Sequence, residues 1–207
     1  MNNSKVQIVI IDDNRKETDP LIVSLKMHFK DAEIILKVKS SEGLDYVLEN
    51  RNKKTIVLLD YDLGKGELNG TELFRKIREK TSLIYVIIIT ANNINNIPYD
   101  ELIEYINNNA FAFVYRTISI AEIKPIIEKA IHALDANVDG ALEQWINMHP
   151  ESVRNSPYIF SRSGKSYTLD QILEEIRHQT DFGKEMEKDI LLLAIDMLAR
   201  GKKKING

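Results

Sequence analysis

Residues 55–73 read TIVLLDYDLGKGELNGTEL. Thr55–Leu59 is a continuous apolar run, short, rich in β-branched residues and bounded by polar ones, which favours a strand over a buried helix. It lacks the alternation of a half-exposed strand and so fits one buried on both faces, the kind found in parallel sheets. The run stops at Asp60, Asp62 follows, and Gly64, Gly66 and Gly70 mark a loop before Thr71–Lys80 takes up helical spacing. A buried strand that ends on a carboxylate, then a loop and a helix, is half of a βαβ unit.

The same alternation extends in both directions. Val6–Ile11, Tyr85–Ile89 and Ala112–Tyr115 are further apolar runs, and Ile34–Val38 is a weaker one. Helix-like segments lie between and after them at Pro20–Phe29, Glu42–Glu49, Tyr99–Asn107 and Ile120–Leu134. Strands alternating with helices predict an α/β fold: a flavodoxin-like, doubly wound, five-stranded parallel sheet over residues 5–134. The last helix opens on Ser119-Ile-Ala-Glu122, a capping-box pattern, and Pro125 within it is expected to kink it or reset its first turn. Asp135–Gly140 breaks the periodicity and is read as a linker. A small, mainly helical module over residues 141–200 and a basic tail over 201–207 complete the chain.

Composition bounds the function. The 207 residues are 43% hydrophobic and 29% charged, the mixture of a globular chain rather than a disordered one. A net charge of -3 gives no general attraction to nucleic acid or to an anionic membrane. The absence of cysteine excludes disulfides, thiol nucleophiles and thiolate zinc sites. The first apolar run is only six residues long and ends on two aspartates, so it reads as a strand and not as a leader or membrane span. The expected location is cytoplasmic.

In a doubly wound sheet, ligands bind at the carboxyl ends of the strands. The first strand runs into Asp12 and Asp13, the third into Asp60 and Asp62, the fourth into Thr90 and the fifth into Arg116. Carboxylates gathered at one edge repel unless a cation neutralises them, and oxygen ligands without histidine favour Mg2+. A strand-end carboxylate can also be a plain helix N-cap, and Asp12 alone could be one, but two adjacent aspartates with Asp60 and Thr90 are harder to explain that way. The set, with a hydroxyl and a fixed cation beside it, suits phosphoryl transfer.

IVIIDDN (8–14), TIVLLDYDLGKGELNGTEL (55–73), VIIITAN (86–92) and FVYRT (113–117), in that order, resemble the receiver domain of two-component response regulators. The resemblance implies a signalling phosphoprotein rather than an enzyme, with Asp60 accepting a phosphoryl group from a sensor histidine kinase or a phosphotransfer protein. It implies Mg2+ on Asp13 and Asp60, on Asp12 through water, and on the backbone carbonyl of Asp62. Thr90 would bond the phosphoryl oxygen, and Phe113 takes the aromatic switch position. Two departures stand out: Arg116-Thr117 replaces the family's usual Lys-Pro, and the loop after Asp60 is longer, with Lys65 expected near the site. Arginine keeps the charge but is a planar fork rather than a point donor.

Asp60-Tyr61-Asp62 also resembles the nucleophile motif of haloacid-dehalogenase phosphatases. Those enzymes carry their further acidic residues after the nucleophile, whereas here the acidic pair precedes it. SRSGKS (161–166) lacks the glycine that a phosphate-binding loop needs five residues before Gly164, and Tyr158–Thr168 reads as a hairpin.

In the C-terminal module, Thr168-Leu-Asp-Gln171 is a capping box opening a helix to about Gln179. Thr180-Asp-Phe-Gly reads as a turn, and Lys184–Arg200 as a last helix stopped by Gly201. Phe182, Met186, Ile190, Leu193 and Met197 form a stripe at helical spacing. KEMEKDILLLAIDML (184–198) is acidic and apolar, without the Arg, Asn or Gln row that reads bases. The module resembles small helical adaptors at the ends of bacterial signalling proteins. A protein partner, or a second copy, is therefore expected on the C-terminal helices, with an unrecognised DNA-binding output as the alternative.

Overall fold

The computed structural model describes residues 5–64, 68–160 and 164–205. The turn of the expected hairpin (161–163) and Lys65 and Gly66 of the loop lie outside them. The strands are β1 (Gln7–Ile11), β2 (Glu33–Lys37), β3 (Thr55–Asp60), β4 (Tyr85–Thr90) and β5 (Ala112–Tyr115), with β6 (Ile159–Phe160) and β7 (Ser166–Tyr167) forming a separate antiparallel pair. The helices are α1 (Pro20–His28), α2 (Ser40–Glu49), α3 (Gly70–Arg78), α4 (Tyr99–Asn107), α5 (Ile120–Ala136), α6 (Val138–Asn147), α7 (Glu151–Arg154), α8 (Leu169–Arg177) and α9 (Asp181–Ile205). The described residues form two compact units, divided between Leu134 and Asp135.

The N-terminal unit is the expected flavodoxin-like sheet, parallel throughout, in the order β2-β1-β3-β4-β5. Alternate residues face opposite sides of a strand, so each apolar run supplies two cores. Ile8, Ile10, Ile56, Leu58, Ile87 and Ile89 pack with residues of α1 and α5. Val9, Ile11, Val57, Leu59, Val86 and Ile88 pack with residues of α2 and α3 and with Tyr105 of α4. Every side chain of β1 and β3 is buried, which is why those strands show no polar alternation. Full burial of each aliphatic residue contributes about 1.5–3 kcal/mol.

Register places the site. Ile11 pairs with Leu59 and Asp60 with Ile89, so Asp12 comes one step beyond β1, level with Asp60. Thr90 pairs with Tyr115, and Arg116 follows directly.

The ends of several helices differ from expectation. Pro125 lies inside α5 without ending it. At the start of α5, the Glu122 carboxylate accepts from the Ser119 amide at 2.9 Å and from its hydroxyl at 2.6 Å, so the hydroxyl donates rather than capping the helix. The Asp135–Gly140 stretch holds the end of α5 and the start of α6 around Asn137. The expected turn at Thr180–Gly183 is helical from Asp181 onward. Gln179 makes the reversal at φ 52, and the Thr180 hydroxyl accepts from the Gly183 amide at 3.0 Å. At the other end α9 runs through Gly201 to Ile205. Gly201 therefore lies inside the helix rather than stopping it, a cost of about 1 kcal/mol relative to alanine.

The C-terminal unit has its own small core. Ile146, Leu169 and Leu173 form one cluster, and Tyr167, Ile172 and Ile176 another, with Phe182, Met186 and Ile190 of α9 against it. Thr168 makes both bonds of its capping box. Arg177 is buried between Asp139 at 3.2 Å and Glu143 at 3.2 Å.

Candidate functional site

Asp60 stands at the carboxyl end of the central strand β3 and is fully buried. Gly70 opens α3 close to it: a Cβ at that position would lie 2.5 Å from the Asp60 carbonyl and 2.7 Å from the Tyr61 Cα. Only glycine lets the helix start so near the strand end. Asn69 caps that helix, accepting from the Glu72 amide at 2.8 Å while Glu72 reaches back to the Asn69 amide. This N-x-x-E capping box is present in the sequence but was not among the signals read from it.

Asp12, Asp13 and Asp60 each offer a carboxylate oxygen, and these oxygens lie within 4.8 Å of one another. Asp12 is buried and closely held. Its Oδ1 accepts from Arg116 Nη2 at 2.6 Å and from the Asn14 amide at 2.9 Å, and its Oδ2 accepts from Arg15 Nε at 2.9 Å. Asp13 is exposed; its Oδ1 accepts from Asn14 Nδ2 at 2.6 Å, and its Oδ2 faces Gly64, where a Cβ would come within 2.6 Å. That glycine, expected only to loosen the loop, makes room for the carboxylate.

Arg116 Nη1 approaches Asp60 Oδ2 to 3.3 Å. This is an ion pair, and neither Asp60 oxygen accepts a hydrogen bond of good geometry. Burial raises the Asp60 carboxyl from 3.8 to about 7; the Asp12 charge adds to the rise, and Arg116 and the Asp62 backbone amide oppose it. A buried carboxylate short of donors is costly when ionised. The site is thus poised to take up something positive or electrophilic at Asp60.

Thr90 is buried at the end of β4, but its hydroxyl serves its own turn, accepting from the Asn92 amide at 3.0 Å. The Asp62 carboxylate accepts from Asn92 Nδ2 at 2.6 Å. Phe113 is half-buried and meets the ring of Tyr105 edge-on at 5.1 Å. The Tyr105 hydroxyl is 2.9 Å from the Thr71 hydroxyl, which donates to Glu101 at 2.6 Å. An aromatic and polar relay therefore joins β5, α4 and α3.

Arg15 is the functional residue that the sequence reading missed. It is buried, donates to Asp12 and to Asp19 (2.7 Å), and reaches the Arg116 carbonyl at 3.3 Å. Asp19 in turn caps α1, accepting from the Leu21 amide. One guanidinium thus ties the loop after β1 to the loop after β5, using the planar fork that lysine lacks.

The donor set suits a hard divalent cation. Asp13 Oδ2 and the two Asp60 oxygens are the ones without a hydrogen-bonded partner of good geometry, whereas both oxygens of Asp12 are engaged. Asp12 is therefore better suited to act through water than directly.

No protein-family model matches the chain, and no curated protein matches it in sequence. Solved structures do share its fold. A CheY-like response regulator receiver domain protein from Methanospirillum hungatei is 21% identical, covering 64% of this chain and 98% of that one at a TM-score of 0.53. A response regulator receiver domain protein from Clostridium thermocellum is 25% identical, covering 62% and 95% at 0.51. The N-terminal domain of a response regulator/sensory box/GGDEF protein from Carboxydothermus hydrogenoformans is 17% identical, covering 64% and 98% at 0.53. The N-terminal unit thus has the receiver fold.

Proposed function

We propose that this chain is the phospho-accepting partner in a two-component relay, with Asp60 as the acceptor. The observation that carries the reading is the Asp60 carboxylate itself: buried, without a good hydrogen bond, and set among Asp12, Asp13 and Arg116 on a receiver fold. An Asp60 oxygen attacks the phosphorus of a phosphohistidine, the P–N bond breaks, and the leaving imidazole takes a proton. The product is an acyl phosphate. Asp13, Asp60 and the Asp62 carbonyl would hold Mg2+, with Asp12 acting through water, and the ion would supply charge neutralisation for the incoming phosphoryl group. Arg116 offers a second positive charge 3.3 Å from Asp60 Oδ2, and Arg15 holds Asp12 Oδ2 at 2.9 Å. Thr90 has to leave the Asn92 amide to reach a phosphoryl oxygen, and that exchange would be felt at Phe113.

The phosphorylated receiver then alters protein contacts made by the C-terminal helices. Residues 184–198 of α9 are acidic and apolar rather than a basic reading surface, which favours a protein partner over DNA. The chain acts as a signalling component and not as a turnover enzyme.

Incubation with acetyl phosphate and Mg2+ should attach one acid-stable, base-labile phosphoryl group. Asp60→Asn should abolish labelling, and Asp13→Asn should slow it. Undiminished labelling of Asp60→Asn sinks the assignment. Sustained hydrolysis of an aryl phosphate would favour the phosphatase reading of Asp60 and Asp62 instead.

A further inference from the structure

The C-terminal unit leaves one surface that its own packing does not cover. α9 is 25 residues long, about 37 Å at 1.5 Å per residue. Its first turns are seated: Phe182 stacks on Tyr167 at 4.1 Å, and Met186 and Ile190 lie against the small core. From Leu191 onward the large apolar side chains are out of the core. Leu191, Leu192, Leu193, Ile195, Met197 and Leu198 are 47–74% exposed. The stripe expected to run from Phe182 to Met197 is therefore packed against the small core only as far as Ile190, and partly buried there. Beside it lies an open apolar groove of about 710 Å³ between α6, β6, α8 and α9, with Leu142, Trp145, Ile159, Leu169, Ile190 and Leu193 among its walls.

We propose that helix and groove form one self-complementary interface. α9 packs antiparallel against α9 of a second copy, about a two-fold axis near Ile195, and the pair covers the leucine surface and the mouth of both grooves. This inference stands apart from the phosphoacceptor reading and does not rest on it.

Size, symmetry and charge converge on that occupant. Six large side chains, 47–74% exposed, with the rim of the groove, present several hundred Å² of apolar surface, more than a lone helix end sustains in water. A stable interface takes about 800 Å² from each partner, which is of the same order. A two-fold contact needs both complementary features on one molecule, and here a protruding apolar helix and an open apolar groove are adjacent.

Charge then sets the direction. Before Ile190, α9 carries Asp181, Glu185, Glu187 and Asp189 against Lys184 and Lys188. Antiparallel pairing keeps the acidic first halves of the two helices apart, whereas parallel pairing sets acid beside acid.

The test uses the full chain. Sedimentation equilibrium should show a dimer, and Leu191→Glu and Leu198→Glu should each give monomers with unchanged far-ultraviolet circular dichroism. Leu198 is 74% exposed, so its substitution leaves the small core intact even if Leu191→Glu disturbs it. The chain has no cysteine, so Ile195→Cys supplies a single thiol. Mild oxidation should link that variant into a covalent dimer far more readily than Val23→Cys, an exposed position on α1. A wild-type chain that stays monomeric at its highest soluble concentration overturns the proposal. So does an Ile195→Cys variant no more cross-linked than Val23→Cys. A monomer that binds a different protein through α9 also overturns it, and identifies the occupant.

Discussion

Asp60 carries a measurable thermodynamic signature. Its folded pKa of about 7 lies above the ordinary value of 3.8, so the folded chain holds that proton more tightly than the unfolded chain. Stability linked to this group is fully present below about pH 4 and is lost as the pH rises to about 7. Asp60→Asn removes the titration. In chelator, urea unfolding should show the variant gaining on wild type between about pH 4 and pH 8, by on the order of 2–4 kcal/mol, with near equality at the acid end. Parallel profiles would mean that the carboxylate is well solvated or well paired. Asp12, Asp13 and Asp60 were legible in the sequence because each ends an apolar run, and a parallel sheet gathers such ends. Arg15 was not: an arginine in a polar loop carries no periodicity, and its partners Asp19 and Arg116 come from a different spacing and from the far end of the sheet. The role of Gly64 was hidden for the same reason, since its neighbour Asp13 is distant in sequence.

Among the elements, the buried strands were the easiest to read and the helix ends the hardest. β1, β3 and β4 are unbroken apolar runs because helices cover both faces of the sheet. The start of α9 was misread because Thr180-Asp-Phe-Gly has the composition of a turn. The reversal falls instead on Gln179, and Gly183 is required where α9 passes the Glu175 carbonyl at the end of α8, too close for a side chain. The ion cluster of the C-terminal unit was equally hidden. Asp139 sat in the stretch read as a linker, yet with Glu143 it flanks Arg177 on α8. Removing one partner of a buried ion pair costs about 3–5 kcal/mol, because the other charges stay buried. Arg177→Met should therefore melt the C-terminal unit, read by loss of helical signal, while the receiver site still takes up phosphate. Retention of the full helical signal would show that the cluster is solvated in solution.

For the whole molecule, the chain divides into a unit of receiver fold and a smaller helical unit. No helix among the described residues is long and apolar enough to cross a membrane. Residues 184–198 of α9 are acidic and apolar, as read from the sequence, and Leu191 to Leu198 carry its exposed large apolar side chains. Everything proposed for signalling depends on chemistry at one atom pair, the Asp60 carboxylate oxygens. Peptide mapping by mass spectrometry after acetyl phosphate treatment and borohydride reduction tests this most directly, because borohydride converts an aspartyl phosphate to homoserine and leaves ordinary aspartate unchanged. Conversion at position 60 alone, dependent on Mg2+, is the predicted result. Conversion at another aspartate, or none under conditions that phosphorylate a known receiver domain, would contradict the account.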